Sequence, residues 1–513
     1  MSWNDLALTL ALAIPLLGAG VIVLLPNRAD STIRQAAVAV TGLAFAVVVA
    51  ITVGFDFSRA GELQFEVDLP WITSIRTRYH LGIDGVSLPL FFLTYLLTFL
   101  SAIYTLRHLP EPGRPKGFLA LMLLLQTGMA GTFVAFDLIL FFVFWELVLV
   151  PMFFMIGIWG GPRREYASVK FFLYTLFGSV FMLVAFLALF FAASAAGIGR
   201  PWDIVELSSG AGLGASSSFQ TITFLGMFLG FAIKVPMWPF HTWLPDAHTE
   251  APTVGSVLLA GILLKMGTYG FVRIALPILP EGARFFAPII GVLAVIAIVY
   301  GALCCLAQSD VKRLIAFSSV GHMGFVMLGI ASLTGRGIQA ALYGNIAHGV
   351  ITGLLFFLAG SLHERYHTRE MAEIGGGLLV KMPRYGALLI FTAIASLGLP
   401  GLAGFWGEFA AMWAAIEPAS TLAPLHGLYL GFVIVAAIGT VLTAGYFLWM
   451  IQRVSLGQPP PRWADAQLAD VAVVEWAAWT PLAVAILVLG VAPVIVFGVQ
   501  DQAVARLTQL IGG

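Results

Sequence analysis

The chain has 513 residues, and its 26 basic and 26 acidic side chains cancel in formal charge. Hydrophobic residues make up 60% of it and charged residues 10%, against about 25% charged residues in a soluble globular domain. The high apolar and low charged content excludes a soluble enzyme and a disordered chain. The chain is not a nucleic-acid binder either, because it has no excess of basic residues to bind phosphate. The composition predicts a polytopic membrane protein with roughly fourteen spans of about 20 residues.

Fourteen apolar runs of spanning length follow one another along the chain, and the polar stretches between them are too short to fold as soluble domains. The first run has no basic region before it, which indicates a retained helix rather than a cleaved signal peptide. We therefore predict an all-α fold with one membrane domain over residues 1–513. The predicted spans lie near residues 5–25, 35–54, 84–105, 117–134, 137–157, 168–193, 223–245, 252–275, 285–306, 313–332, 338–361, 384–413, 427–452 and 478–500.

Basic residues in the loops indicate the orientation, because inner loops carry an excess of lysine and arginine. With the N-terminus placed outside, the inner loops hold sixteen basic residues, among them Arg28 and Lys312. The outer segments then hold eight, among them Arg273. The count favours both termini on the outer side of the membrane.

Four charged residues fall within apolar spans rather than in loops: Glu146, Lys234, Lys265 and Glu408. A charge at membrane depth costs about 2.5 kcal/mol or more on insertion scales, so an incidental placement is disfavoured. The alternative is a set of buried ion pairs that only hold helices together, and such pairs seldom improve stability over apolar packing. The pattern favours a site that moves ions or protons.

Prolines and glycines interrupt two of the spans. Pro236 and Pro239 lie in span seven, and Pro400 and Gly401 lie in span twelve. A proline inside a helix removes a hydrogen bond, and a broken helix at membrane depth is tolerated where its backbone is buried in protein or lines a cavity. The sequence therefore predicts two broken helices, with two unrelated proline kinks as the alternative.

The spacing of the two breaks predicts the domain organisation. They lie five spans apart, and because five is odd, the second broken helix enters from the opposite side. This predicts two inverted five-helix repeats that meet at a transport site. The three N-terminal helices occupy 1–116, the repeats occupy 117–275 and 285–452, and a C-terminal loop and helix fourteen occupy 453–513.

Three histidines lie within or at the ends of spans: His241, His322 and His348. A lone histidine in a membrane is more often a hydrogen-bonded packing residue. Beside two lysines and two glutamates, however, these three favour a proton relay, because imidazole can exchange protons near neutral pH. The adjacent Cys304 and Cys305 are interpreted as packing residues, and the sequence predicts no metal or cofactor site in this chain.

Residues 363–367 read His-Glu-Arg-Tyr-His and match the H-E-x-x-H zinc-protease pattern. They follow span eleven in a polar stretch, and Glu370 stands where the extended zinc pattern has glycine. We interpret the segment as the charged end of a helix, with an intramembrane zinc protease as the alternative. A stand-alone solute carrier is a second alternative, which rests on the broken helices alone.

Several stretches together resemble the antiporter-like subunits of respiratory complex I. The resemblance runs from about Leu81 to Arg453. The glutamate in broken span twelve resembles the M-type subunits of this family, whereas L-type and N-type subunits usually carry lysine at that position. Mrp-type sodium–proton antiporters share the same core and are the closest alternative, followed by membrane-bound hydrogenase complexes. The stretches are FFVFWELVLVPMFFMIGIWGG, YASVKFFLYT, KVPMWPFHTWLPDAHTEAPTVGSVLLAGILLKMGTYGFVR, SDVKRLIAFSSVGHMGF and LGLPGLAGFWGEF.

The resemblance implies a proton-translocating subunit of an NADH-quinone oxidoreductase in the bacterial inner membrane. Glu146 would pair with Lys234 and control its proton affinity, and Lys265 would be the central relay. The three histidines and bound waters would link Lys265 onward, and Glu408 would pass protons toward the outer face. NAD(H), FMN, iron–sulfur clusters and quinone would be bound by partner subunits, and the neighbours in the membrane would be L-type and N-type subunits and lipids.

Overall fold

The computed structural model describes residues 3–26 and 29–511. Arg28, which was counted among the inner-loop residues, lies outside the described residues, as do the first two and the last two residues of the chain. The predicted all-α membrane fold is confirmed. In the described ranges, twelve helices are long and apolar enough to cross a membrane, and two further segments each consist of two shorter helices.

Together these segments give fourteen spans in the order that the sequence predicted. Short helices lie between or after them at Ile204–Ser209, Met371–Ile374, Leu378–Lys381, Pro461–Ala464 and Val494–Ile511. Spans one to fourteen are Trp3–Leu24, Asp30–Gly54, Ser87–Thr105, Pro115–Val134, Leu138–Trp159, Arg164–Ala195, Ser217–Lys234 with Trp243–Glu250, Thr253–Ile278, Pro280–Leu306, Val311–Ala331, Gly335–Tyr366, Pro383–Ser396 with Ala403–Ile416, Ser420–Val454, and Val473–Val491.

Both predicted helix breaks are confirmed. Span seven ends its first helix at Lys234, and the gap before the second helix contains both Pro236 and Pro239. In span twelve, Pro400 lies in the gap next to Gly401, which has φ +92°, a left-handed conformation that favours glycine. Closely spaced helix breakers coincide with both interruptions, and each proline removes an amide hydrogen that the helix would use. The single prolines Pro15, Pro288 and Pro481, by contrast, lie inside continuous helices.

Spans eight, ten and eleven form the centre of the molecule. The most apolar stretches of spans eight and ten are entirely buried, whereas less than a third of the corresponding stretches in spans two and thirteen is buried. Span eleven packs against spans eight, ten, twelve and fourteen. A charged side chain in the middle of these helices, such as Lys265, is therefore enclosed by protein.

The interruption at residues 55–83, predicted as a polar loop, contains an antiparallel hairpin. Its strands are Gln64–Ile72 and Thr77–Ile83, with Val67 paired to Leu81. The alternation of polar and apolar residues from Gln64 to Leu69 is the strand signal that was overlooked.

His80 anchors this hairpin to the loop after span six. Its Nδ1 lies 2.7 Å from Oδ2 of Asp203, and its Nε2 lies 2.9 Å from Oε1 of Glu66. Burial alone would lower the pKa of His80, but hydrogen bonds and charge from the two carboxylates outweigh burial, so its pKa is raised above the ordinary value. A protonated His80 therefore favours the docked hairpin.

The C-terminal end also differs from the prediction. Span fourteen was expected to reach residue 500, but it ends at Val491. Ala492 and Pro493 follow, and the residue before a proline is disfavoured in helical conformation. A separate helix, Val494–Ile511, then packs against spans eleven and nine.

Candidate functional site

Lys265 lies at the centre of span eight and is completely buried. The turn before it, Leu259–Leu263, is π-helical, and such a turn redirects backbone hydrogen bonds. The Lys265 amine donates to the carbonyl of Ala260 in this turn. On its other side, Nζ lies 2.6 Å from Nδ1 of His348 in span eleven. The amine is thus held by a carbonyl on its own helix and by the imidazole of His348 on span eleven.

A second pair of contacting residues, His322 and Glu408, lies between His348 and the rest of span twelve. The rings of His348 and His322 lie 5.6 Å apart between their centroids. Nδ1 of His322 lies 2.7 Å from Oε1 of Glu408, and Nε2 of His322 lies 3.0 Å from the hydroxyl of Ser396. Spans eight, ten, eleven and twelve thereby contribute one connected row of ionisable side chains: Lys265, His348, His322 and Glu408.

A small cavity lies beside this row. Its volume is about 30 Å³, and His322, His348 and Glu408 all line it. A water molecule needs about 10–15 Å³ of such space, so the cavity is large enough for about two. Among the described residues, neither Nε2 of His348 nor Oε2 of Glu408 has a protein hydrogen-bond partner. Water in the cavity can therefore connect the two groups.

Glu146 and Lys234 lie near one another but are not in direct contact. The Glu146 carboxylate is close enough to Lys234 for the two charges to interact. Both residues are described, and no carboxylate oxygen of Glu146 lies within 4.0 Å of the amine of Lys234. That amine instead lies 5.0 Å from the ring centre of Trp145. The geometry leaves room for the two charges to approach or separate.

The two lysine-bearing segments approach closely at Gly267. A Cβ atom at this position would lie 2.8 Å from the carbonyl oxygen of Phe231 and 2.7 Å from Val235. Both neighbours flank Lys234 at the break of span seven. Glycine is required here because a side chain would push span eight away from span seven.

His241 is buried within the break of span seven, apart from the other two predicted histidines. Its ring packs edge-on against Tyr300, with 5.1 Å between centroids. Its Nδ1 is without a hydrogen-bond partner in the part of the chain that the structure describes. The structure therefore brings His322 and His348 together and places His241 separately.

The structure reveals a buried histidine that the sequence analysis did not select. His248, in the second half of span seven, is fully buried and stacks on Phe356 at 4.5 Å between ring centroids. Neither ring nitrogen has a partner among the described residues, and the charges of Lys265 and Lys312 act on the ring. A buried histidine between two lysines belongs to the same site. Its only sequence signal was its position after the break.

Lys312 was assigned to an inner loop, and that assignment is wrong. Asp310 caps span ten by accepting a hydrogen bond from the amide of Arg313, so Lys312 lies in the first turn of the helix and is 5% exposed. Its amine donates to the carbonyl of Ala251. The capping aspartate was the signal that could have placed it.

Lys312 also lines a wide cavity of about 540 Å³, together with Arg369, His363 and Glu364. Residues of the zinc-protease pattern at 363–367 line this cavity. His363 and Glu364 are in the last turn of span eleven, but His367 follows the helix end with φ +52°. The second histidine thus lies off the helix that the pattern requires, and Glu364 is bound to His108.

Arg273 was assigned to an outer segment and is also buried. It lies near the end of span eight, is 7% exposed and forms an ion pair with Asp84. The predicted boundary of span eight already included position 273, but the residue was counted with the loop. Two of the basic residues used for the orientation count therefore lie inside the protein.

Three comparisons relate this architecture to known proteins. The family described as NADH:quinone oxidoreductase/Mrp antiporter, TM, matches residues 135–438. NADH-quinone oxidoreductase subunit M of Rhodobacter capsulatus is 40% identical over 510 residues, which cover 97% of this chain and 95% of the relative.

Comparison with solved structures gives a consistent result. A chain of respiratory complex I from Thermus thermophilus, with bound NADH, superposes with a TM-score of 0.85 at 31% identity, covering 99% of this chain and 100% of that one. A chain of the Mrp complex from a Dietzia species superposes with a TM-score of 0.84 at 22% identity and full coverage of both chains. At that identity the second likeness shows the fold alone.

Proposed function

The chain belongs to the NADH:quinone oxidoreductase/Mrp antiporter family of transmembrane subunits, and we propose that it is the proton-translocating M-type membrane subunit of a bacterial NADH-quinone oxidoreductase. One observation carries the proposal: the connected row from Lys265 through His348 and His322 to Glu408, buried at the centre of the spans. Charged groups at this depth are costly, and here they are arranged as a path rather than as an isolated pair.

We propose that protons move from Lys265 to Glu408 through His348 and water in the adjoining cavity. The Lys265 ammonium hydrogen bonds to Nδ1 of His348, so a proton can pass to that imidazole. The opposite nitrogen of His348 then releases a proton to cavity water, from which the carboxylate of Glu408 can accept it. His322 holds Glu408 in position through their hydrogen bond. Glu408 finally passes the proton toward the outer face.

Glu146 and Lys234 supply the control step in this proposal. Burial favours the neutral form of an amine, and a nearby carboxylate favours its charged form. Bringing Glu146 closer to Lys234 would hold a proton there, and separating them would release it toward Lys265. His241, His248 and Lys312 would bring protons to Lys265 from the inner side, where Lys312 lines the wide cavity.

We further propose how the chain is organised, where it is located and which subunits it contacts. The two broken spans lie in matching positions, which supports two inverted repeats over 117–275 and 285–452 within one membrane domain. We propose the bacterial inner membrane as the location, with both termini on the outer side. The neighbours would be L-type and N-type subunits and lipids, and NAD(H), FMN, iron–sulfur clusters and quinone would be bound by other subunits that supply the energy.

A subunit of a multi-component Mrp-type sodium–proton antiporter is the second candidate function. The shared fold supports it, but identity to the Mrp chain is 22%, against 31% to the complex I chain and 40% to a subunit M. The oxidoreductase is the better-supported candidate.

Purification of the tagged chain from its native membranes in mild detergent tests the choice. We expect flavin- and cluster-bearing subunits to co-purify, with NADH oxidation by ferricyanide in the same fractions. Co-purification of small membrane proteins without redox centres would favour the antiporter instead.

A further inference from the structure

Span eight carries a second line of polar groups that runs from Lys265 away from the wide cavity. Tyr269 lies about one helical turn beyond Lys265, and Arg273 follows in the π-helical turn Phe271–Ala275. The guanidinium carbon of Arg273 lies 5.6 Å from the centre of the Tyr269 ring, so the line continues from one to the other. Eight residues correspond to about 12 Å along the axis. The line therefore reaches from the centre of the site to the far end of the span.

Hydrogen bonds connect Tyr269, in the middle of this line, to spans three and four. The hydroxyl of Tyr269 donates to the carbonyl of Phe133 at 2.9 Å and lies 3.1 Å from the hydroxyl of Ser87. The Ser87 amide donates to Oδ1 of Asp84 at 3.0 Å. Between Lys265 and Tyr269, the Thr268 hydroxyl donates to the carbonyl of Lys265 at 2.9 Å and accepts from Asn345 at 2.7 Å. Polar atoms thus occur at each level between Lys265 and Asp84.

The line ends at the ion pair of Arg273 with Asp84. Nη2 of Arg273 lies 2.6 Å from both carboxylate oxygens of Asp84, and both side chains are more than nine-tenths buried. Nε of Arg273 has no partner in the described part of the chain. The same two residues line a cavity of about 230 Å³ on their other side, with Ser208 and Arg506. The ion pair therefore lies between the buried line and this cavity.

We propose that the Asp84–Arg273 ion pair is a proton gate, which closes a second outlet from Lys265 into the cavity lined by Ser208 and Arg506. The gate serves the proton movement proposed above and rests on it. It prevents protons from bypassing His348, His322 and Glu408, and it keeps protons on the cavity side from returning to Lys265.

The two partners of the pair contribute unequally to this gate. A guanidinium does not release its proton in the physiological range, so Arg273 cannot relay one, and its fixed positive charge repels a proton that approaches. A unit charge about 12 Å from Lys265, at an effective permittivity of about 20, changes the energy of a proton leaving Lys265 by an amount that corresponds to roughly a tenfold change in rate. A carboxylate left without the arginine can instead accept and release protons. The arginine closes the gate, and the aspartate alone would open it.

This asymmetry separates a gate from a structural ion pair. Removing either partner of a buried pair destabilises a protein, because an uncompensated charge remains. A purely structural pair would therefore make Asp84→Asn and Arg273→Gln similar in effect. A gate predicts that passive proton conductance rises roughly tenfold in Arg273→Gln and stays at the wild-type level in Asp84→Asn.

The test uses the complete complex reconstituted in liposomes with a pH-sensitive dye inside. A potassium diffusion potential, set with valinomycin and without NADH, drives passive proton movement, so the reading does not depend on pumping or on redox activity. Arg273→Lys covers the case in which the glutamine variant fails to assemble. It keeps the ion pair, but its amine can release a proton, so we expect an intermediate rise. Arg78→Gln, which removes the partly buried ion pair of Arg78 with Asp68 in the hairpin, is the control and should not raise conductance.

A second substitution identifies the path. Adding Lys265→Met to Arg273→Lys should return conductance to the wild-type level, because the outlet begins at Lys265. The gate is overturned if neither arginine variant conducts more than the wild type, if Asp84→Asn conducts as much as Arg273→Lys, or if the double variant still conducts. Failure of redox subunits to co-purify would overturn the proposed function and leave this measurement unaffected.

Discussion

Replacing Glu408 tests the far end of the relay most sharply, because the structure predicts different results for aspartate and glutamine. Glu408→Asp keeps the charge and shortens the side chain by about 1.5 Å, the length of one carbon–carbon bond. The 2.7 Å contact with His322 then lengthens to about 4 Å, beyond hydrogen-bond distance. The adjoining cavity of about 30 Å³ can hold a bridging water. We therefore expect an assembled complex with reduced but measurable pumping.

Glu408→Gln keeps the volume and loses the charge. A hydrogen bond to a charged group contributes about 1.5–3 kcal/mol and a neutral one about 0.5–1.5 kcal/mol, so the contact with His322 weakens by about 1 kcal/mol. Such a change leaves assembly intact. An amide cannot take up the transferred proton, however, and pumping should fall to background.

The assay measures NADH oxidation by ferricyanide, quinone reduction and the pH gradient on the same vesicles. Ferricyanide activity should stay near the wild-type level in both variants, whereas the gradient decreases in the order wild type, aspartate, glutamine. Glu417→Gln is the matched control, because that side chain lies nine residues along and is 77% exposed. Normal pumping by Glu408→Gln would refute the role of Glu408, and equal loss in both variants would refute the bridging water.

Three further predictions concern the control step, the hairpin and the close approach of spans seven and eight. Glu146→Gln should assemble with normal ferricyanide activity and lose quinone reduction and the gradient together, and Glu146→Asp should keep part of both; full activity in the glutamine variant would make Glu146 a packing residue. His80 has a raised pKa in the folded protein, so its contribution to stability should be complete below about pH 6.5 and lost as pH rises through the folded value. Melting temperatures of wild type and His80→Asn should therefore converge at high pH, and a constant difference would contradict this. Gly267→Ala requires a displacement of about 0.6 Å, from 2.8 Å to an ordinary contact of 3.4 Å, and should cost about 1–3 kcal/mol of stability. Gly445→Ala meets nothing within 4 Å and should not lower the melting temperature.

The sequence predicted the spans and both breaks because these are local properties. Apolar runs of about 20 residues mark the spans, and the paired breakers Pro236 with Pro239 and Pro400 with Gly401 mark the breaks. A single proline is not enough, since Pro288 and Pro481 lie inside continuous helices. The hairpin at Gln64–Ile83 was equally local. Its alternating pattern was overlooked because the stretch was analysed for spans rather than for strands.

The charged residues at span ends were harder to place. Arg273 lies inside its predicted span, and the sequence does not show that its charge is paired with Asp84 in the interior. Lys312 lies one residue before its predicted span, and such boundaries are uncertain by a few residues. A shift of that size moves a side chain from water into the protein interior. His248 was not selected because nothing in its own segment distinguishes a buried site histidine from one at a helix end.

The pairings within the site could not be predicted from the sequence. Lys265 and His348 are 83 positions apart, and their 2.6 Å contact depends on how spans eight and eleven pack. The π-helical turn before Lys265 and the separation of Glu146 from Lys234 likewise depend on packing. The sequence identified which residues are unusual, and only the structure shows which of them touch.

Proton pumping by Lys265 variants is the decisive measurement, because Lys265 is the group proposed to pass protons through the protein. The complex carrying Lys265→Ala or Lys265→Arg would be reconstituted in liposomes, and the initial rate of NADH-driven acidification would be measured per assembled complex. Lys116→Ala is the control, since its amine binds a carbonyl near the surface. Pumping should be lost in Lys265→Ala because no titratable group remains, and in Lys265→Arg because guanidinium keeps its proton. A wild-type rate in either Lys265 variant would contradict the relay.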